Sequence, residues 1–457
     1  MNFPEKFTIQ WIREHYNTNE LTPLTLLEEI VRRAEASKDK NIWIIPPSLE
    51  FVKPYLDALY QHEVCTANPG GSCVQEKGPL WGIPFAVKDN IDMSGITTTV
   101  ACPAYAYTAK DDATVIKKLL KAGAIPVGKT NMEQFATGTS GIRTPYGEVH
   151  NAYQPELITG GSSSGSAVSV AAGLVPFALG SDTGGSGRGP AALNALVGYK
   201  PPLGSWSGKG VVPCCLSLDT VSVLTNNLED ALLIDEIVRG PDPDFLYTRQ
   251  FDKNAPKPPK KLLLPTNKPH FFGSWADIYE SKWQSALKRI EKLGIPLGIA
   301  DESIFEEGSK IFSEKSITAE RWGHFEEFTN SNPGALLPIT ETVFRSVGTP
   351  NHTAVALFED IHTLKRLKNQ AEHMLKDCVF IWPTVGGTYT RDEIRDDPII
   401  KNNQIGAYIY FCNPLDLCAV SLPENVDDKE YPFGITMYAL PSSEDILCYA
   451  AEKFMSS

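Results

Sequence analysis

Residues 174–194 read LVPFALGSDTGGSGRGPAALN: an apolar run of strand length, a turn rich in glycine and serine, then a segment suited to a helix. The preceding residues, 159–173, read TGGSSSGSAVSVAAG and repeat the turn-to-helix half of that pattern. The same alternation appears on either side. Ile83–Val87 is a short apolar strand closed by Lys88, and 111–123 (DDATVIKKLLKAG) places Val115, Ile116, Leu119 and Leu120 on one helical face before AIPVG. NLEDALLIDEIVRG follows at 227–240. Strands alternating with helices predict an α/β fold, with a largely parallel central sheet covered by helices on both faces.

Nearer the start, TPLTLLEEIVRRAEA predicts a helix capped by Thr22, with Pro23 at its first position and Leu26, Leu27, Ile30 and Val31 on one face. Proline and charge replace periodicity over 239–265, which marks a crossing between lobes. The segment beyond is helix-rich, and DCVFIWPTVGG and PFGITMYAL return to strand character. The expected organisation is one domain over residues 1–457. Its core is formed by 1–250 and 378–457, and a helix-rich lobe at about 265–377 is inserted between them.

The chain has 457 residues, 42% of them hydrophobic, enough for a large core. Its net charge of -13 disfavours a nucleic-acid surface. The longest apolar stretch, AVSVAAGLVPFALG, is broken by Gly173 and Pro176 and is too short to span a bilayer. The polar opening MNFPEKFTIQWIREHY predicts no export, and nine scattered cysteines without a CxxC pair, Cys65 and Cys73 among them, read as reduced thiols in the cytoplasm. Eight dispersed histidines form no metal-binding pattern, so neither metal nor cofactor is expected.

The glycine–serine runs admit three readings. A flexible linker would not lead straight into core residues, and a Walker cradle would need a lysine that GGSSSGSA lacks. GSSSG at 161–165 fits the nucleophile-elbow pattern around Ser163, but no downstream histidine has a telling context. Acyl transfer accounts for more. Ser186 follows Thr183, Gly184 and Gly185 and precedes a helix-like segment, so consecutive amides can converge on an oxyanion. No histidine base lies nearby, whereas Lys88 ends an apolar strand where burial would favour its neutral amine. Its bland alternative is an ion pair with Asp89.

PFAVKDNID, GGSSSGSA and SDTGGSGRGPAALN, in that order, resemble the signature blocks of the amidase signature family, and the likeness extends over about 80–230 and 378–440. The resemblance implies the fold of that family, with a mixed, largely parallel central sheet and a helix-rich second lobe, and a metal-free amidase. Lys88 would be the base, Ser162, held by a cis peptide, the relay, and Ser186 the nucleophile. Asp182 and Arg188 are expected to hold the loop rather than to take part in the chemistry.

Within the family, TTTVACPAYAYT, NMEQFATGTSGIRTPYG, VVPCCLSLDTVS and DPIIKNNQIGAYIYFCNPLDLCAV resemble the allophanate hydrolase branch. That implies release of ammonia from a small ureido or carboxylated amide, with Arg321 on the carboxylate and Thr183, Gly184, Gly185 and Gly138 as further substrate-binding residues. It also implies a urea carboxylase upstream in the pathway, and it is compatible with a homodimer. An amidotransferase of the tRNA-dependent kind, contributing its A-type chain, or an amidase with another small substrate, is the alternative. Three positions depart from the branch: Ser313 stands where a tyrosine tends to occur, Leu216 where an arginine is usual, and Gly184 in place of alanine. Ending at Ser457, the sequence would lack the additional domain that assists decarboxylation in many members of the branch.

Overall fold

The computed structural model describes residues 2–61, 77–346 and 352–457. Cys65 and Cys73 lie outside them, and the other seven cysteines are free thiols. In chain order the strands are β1 (Trp43–Ile45), β2 (Pro84–Lys88), β3 (Thr97–Thr98), β4 (Tyr107–Thr108), β5 (Ile125–Thr130), β6 (Phe177–Asp182), β7 (Val197–Lys200), β8 (Thr220–Thr225), β9 (Lys261–Pro265), β10 (Leu297–Ala300), β11 (Cys378–Pro383), β12 (Cys418–Pro423) and β13 (Gly434–Ala439). β3 and β4 form a separate ribbon, and the rest form one sheet ordered β1-β5-β2-β6-β8-β7-β12-β13-β11-β9-β10.

The α/β class and the mixed sheet are as expected. Parallel pairing is confined to β5-β2-β6 and β11-β9-β10, while the middle of the sheet, from β6 through β8, β7, β12 and β13 to β11, is antiparallel. Antiparallel neighbours can follow one another without a helical crossover, which is why strand–helix alternation in the sequence does not register them. All residues of β2, β5 and β6 are buried, with no alternation along the strand, as expected of strands covered on both faces.

The helices obey their local signals. The helix Pro23–Ala36 is capped by Thr22, whose hydroxyl accepts from the Thr25 amide at 3.1 Å, and it buries Leu26, Leu27 and Ile30. The helix Thr114–Lys121 buries Val115, Ile116 and Leu119. All eight residues of the helix Ser164–Ala171 are buried, since small side chains allow it to lie close beneath the sheet. Among the described residues, no helix is long and apolar enough to cross a membrane.

The stretch between residues 261 and 377 adds β9 and β10 to the sheet edge and then turns helical through Ser303–Glu314, Ala319–Ser331, Pro338–Arg345 and Ala354–Met374. Phe325 and Phe344 of these helices pack on Phe135, 4.6 and 5.4 Å between ring centroids, so the helical layer leans over the loop that follows β5. Below that loop, β2 and β6 run parallel side by side and end at Lys88 and Asp182. The loops leaving the carboxyl ends of such strands open a crevice, the usual place for a ligand in a sheet of this kind.

Candidate active site

Lys88 closes β2 with its side chain wholly buried, and its amine donates to the hydroxyls of Ser162 and Ser181 at 2.8 Å each. Burial, only partly offset by the negative groups Cys214, Asp219, Asp182 and Glu133, pulls its titration down to about 7. Successive strand residues face opposite ways. Asp89 accordingly turns from Lys88 and lies 3.4 Å from Lys129, which leaves the Lys88–Asp89 ion pair without a geometric basis.

The serine run divides by function. Ser162 follows a cis peptide from Gly161, and its hydroxyl is the one that meets Lys88. Ser163 points at the sheet and donates to the Ser181 carbonyl at 3.2 Å, and Ser166 donates to Leu179 at 2.9 Å. These two fasten the helix Ser164–Ala171 to β6, and the nucleophile-elbow reading of Ser163 is thereby overturned: its hydroxyl is spent on backbone in the interior. The Ser163 amide donates to the Ser186 carbonyl at 3.3 Å, which joins the two glycine–serine runs.

Asp182 and Arg188 form a fully buried bidentate pair with both contacts at 2.9 Å. Burial would raise the carboxyl of Asp182, but the Arg188 guanidinium outweighs it and holds the group at about 2. The same carboxylate accepts from the amides of Gly185 at 2.8 Å and Gly187 at 3.2 Å, so the turn carrying Ser186 is wound around it. Gly185 has φ of +107°, and a Cβ there would collide with the Ile409 side chain. Its amide, expected to face substrate, serves Asp182 instead, and Gly185 is not among the residues that border the cavity.

That cavity, of about 330 Å3, is bordered by Ser186, Thr183, Gly184, Gly138 and Arg321. Thr183 is tied by its hydroxyl to Asp219, which also accepts from the amides of Cys214 and Cys215. Arg321 is no surface arginine. Its Nε is buried with no hydrogen-bond partner, and although burial opposes it, Cys214, Cys215 and Asp219 hold the guanidinium above its ordinary value. Its chain neighbour Glu320 accepts from the Ser217 hydroxyl instead of pairing with it. Ser313 borders the cavity, whereas Leu216 lies elsewhere, beside Val211 and Val221.

The sequence reasoning missed several wall residues. Phe312 lies against Gly184, where a Cβ would come within 2.5 Å of its ring, and it packs on Tyr410 at 4.9 Å. Arg143 is buried and holds the Thr137 and Pro398 carbonyls. Asn402 accepts from the Thr139 amide at 2.9 Å. The signal for Arg143 was an arginine inside an otherwise small and polar loop; Phe312 and Asn402 carried none.

The amidase family matches residues 55–448. The chain is 35% identical over 457 residues to urea amidolyase of Saccharomyces cerevisiae, covering 98% of this chain and 24% of that one. It is 30% identical over 465 residues to the A-type component of glutamyl-tRNA(Gln) amidotransferase from Halothermothrix orenii, covering 94% of this chain and 92% of that one. The solved allophanate hydrolase of Kluyveromyces lactis superposes with a TM-score of 0.88 at 32% identity, covering 98% of this chain and 72% of that one. The chain thus spans about a quarter of the length of the yeast urea amidolyase it matches.

Proposed function

The chain belongs to the amidase family, and from that premise we propose that it hydrolyses the C–N bond of a small carboxylated or ureido amide of the allophanate type, releasing ammonia. The observation that carries the proposal is the buried Lys88 amine, bonded to Ser162 and titrating near neutrality, in a serine run tied through the Ser163 amide to Ser186, which borders a cavity together with Arg321.

In this mechanism the neutral amine of Lys88 takes the proton of Ser162, and Ser162 takes that of Ser186 as its oxygen attacks the carbonyl carbon. The oxyanion is met by backbone amides of the Thr183–Ser186 turn, Gly185 excepted. Ser162 returns a proton to the nitrogen, the C–N bond breaks, and ammonia leaves an acyl-Ser186. Water, deprotonated through the same pair, then cleaves the ester. Arg321 binds the substrate carboxylate, for which a planar fork is suited. With allophanate as substrate the carbon product is N-carboxycarbamate.

The name of the Saccharomyces cerevisiae relative, urea amidolyase, supports a place in the breakdown of urea, downstream of a urea carboxylase in this reading, and the free thiols of the described residues suit a reducing cytoplasm. Similarity to an amidotransferase component over nearly its whole length supports a second reading, in which glutamine is the amide donor. Ammonia release from a panel of allophanate, biuret, malonamate, glutamine and simple amides tests both. Turnover of the anionic small amides is expected, glutamine alone would favour the second reading, and no turnover would sink the proposal.

A further inference from the structure

A second cavity, of about 570 Å3, opens beside the first and shares Ser313, Glu314, Asn403 and Tyr410 with it. A three-carbon carboxylated amide would occupy part of the first chamber and none of the second, whereas cavities of about 300–1,000 Å3 suit far larger ligands. The second chamber is aromatic in its depth: Phe272, Trp382 and Tyr408 border it, each less than a tenth exposed. Trp382 and Tyr408 pack with centroids 4.6 Å apart. Its charged residues, Glu306, Lys310 and Glu314, are exposed at the rim, so the interior offers an arm no countercharge.

Ser313 stands at the junction. Its hydroxyl bends back to the Ser309 carbonyl at 3.0 Å, so it contributes one short side chain to the wall that the two cavities share. We infer that the site takes acyl amides branched by a flat apolar arm, with the reacting carbonyl and the carboxylate in the first chamber and the arm passing Ser313 into the aromatic second chamber.

The inference rests on the amidase reading above. Because that reading releases ammonia, the arm belongs to the acyl half of the substrate. With 2-benzylmalonamate the reaction is hydrolysis of the primary amide: water adds across the C–N bond, giving benzylmalonate and ammonia.

The experiment compares malonamate with 2-benzylmalonamate, which differ only in the arm. Wild-type enzyme is expected to favour the benzyl compound about tenfold or more in kcat/KM, and Ser313→Trp is expected to lower that ratio at least tenfold. Ser313→Leu, a smaller plug, should fall between them. Because the readout is a ratio within one variant, loss of folding cannot imitate it. Wild-type preference for malonamate, or a ratio indifferent to Ser313→Trp, overturns the inference while leaving the amidase reading intact. If neither amide is turned over, binding decides the inference, and the amidase reading stands or falls on the full panel of amides. Benzylmalonate should then bind the wild type about tenfold more tightly than malonate by calorimetry, with the difference erased by Ser313→Trp; equal binding of the two overturns the inference.

Discussion

The Lys88 amine reaches the Ser162 hydroxyl across 2.8 Å in a site with no access to solvent, and an apolar strand rather than a charged partner delivers it there. At that separation the bond can reverse direction once the amine is neutral, with Ser162 as the donor. Activity should therefore increase with pH. The titration lies at about 7 because burial disfavours the charged form, so the rate should rise about tenfold per unit below it and level off above. A pH–kcat/KM profile checks this, and Lys88→Met should be both inactive and flat. A wild-type profile that falls through this range would remove Lys88 as base.

Ser186 borders the cavity while its carbonyl accepts from the Ser163 amide. Ser186→Ala keeps that carbonyl and should remain folded. Its ammonia release should drop by about 10³-fold or more, the scale seen when a nucleophile is deleted. Turnover at the wild-type rate with an unchanged melting curve would assign the nucleophile elsewhere.

Arg321 is expected to act on binding. Arg321→Met should raise KM for carboxylated amides by about 30-fold or more while changing neutral amides little, since a charge-assisted bond is worth roughly 2–5 kcal/mol. Lysine at this position should recover only part of the loss, for want of the fork. Equal losses on charged and neutral amides would argue that Arg321 is structural.

Gly184 is held to glycine by the Phe312 ring. Gly184→Ala should push that ring toward Tyr410, costing about 1–3 kcal/mol of stability and narrowing the cavity. Adding Phe312→Leu should restore part of both, measured as urea midpoint and kcat/KM. Additive losses in the double variant would show that the two positions do not communicate.

The buried pair of Asp182 and Arg188 should be costly to split. Arg188→Met leaves the carboxylate uncompensated, at about 3–5 kcal/mol in chemical denaturation. The sign with pH follows from its direction. The folded value is held down at about 2 against an ordinary value of 3.8, so the wild type should keep this contribution above pH 3.8 and lose it as pH falls toward 2. Arg188→Met should show no such loss over that interval.

Much of this was legible in advance where a signal is local. Thr22 and Pro23 announce a helix start, and the apolar run before Lys88 announces a buried strand. The last two strands of the sheet, β9 and β10, were hidden because KLLLP follows a proline-rich crossing and LGIA is too short and too exposed to alternate. The assignment of Gly185 to the oxyanion failed for a different reason. An amide has one proton to give, and nothing in GSDTGG says that Asp182 will take it.

By itself the sequence determined the α/β class, the three blocks that supply Lys88, Ser162 and Ser186, and the small side chains that let a helix lie close to the sheet. Only the tertiary structure decided that Ser163 and Ser166 spend their hydroxyls on the backbone of β6, which amides remain for the carbonyl, and that Arg321 and Ser313 border the same space as Ser186. The physical reason is separation along the chain. Caps and periodicity act within a few residues, whereas Lys88 and Ser162 stand 74 residues apart and are brought together by the parallel pairing of β2 with β6 and by the helix fastened beneath them.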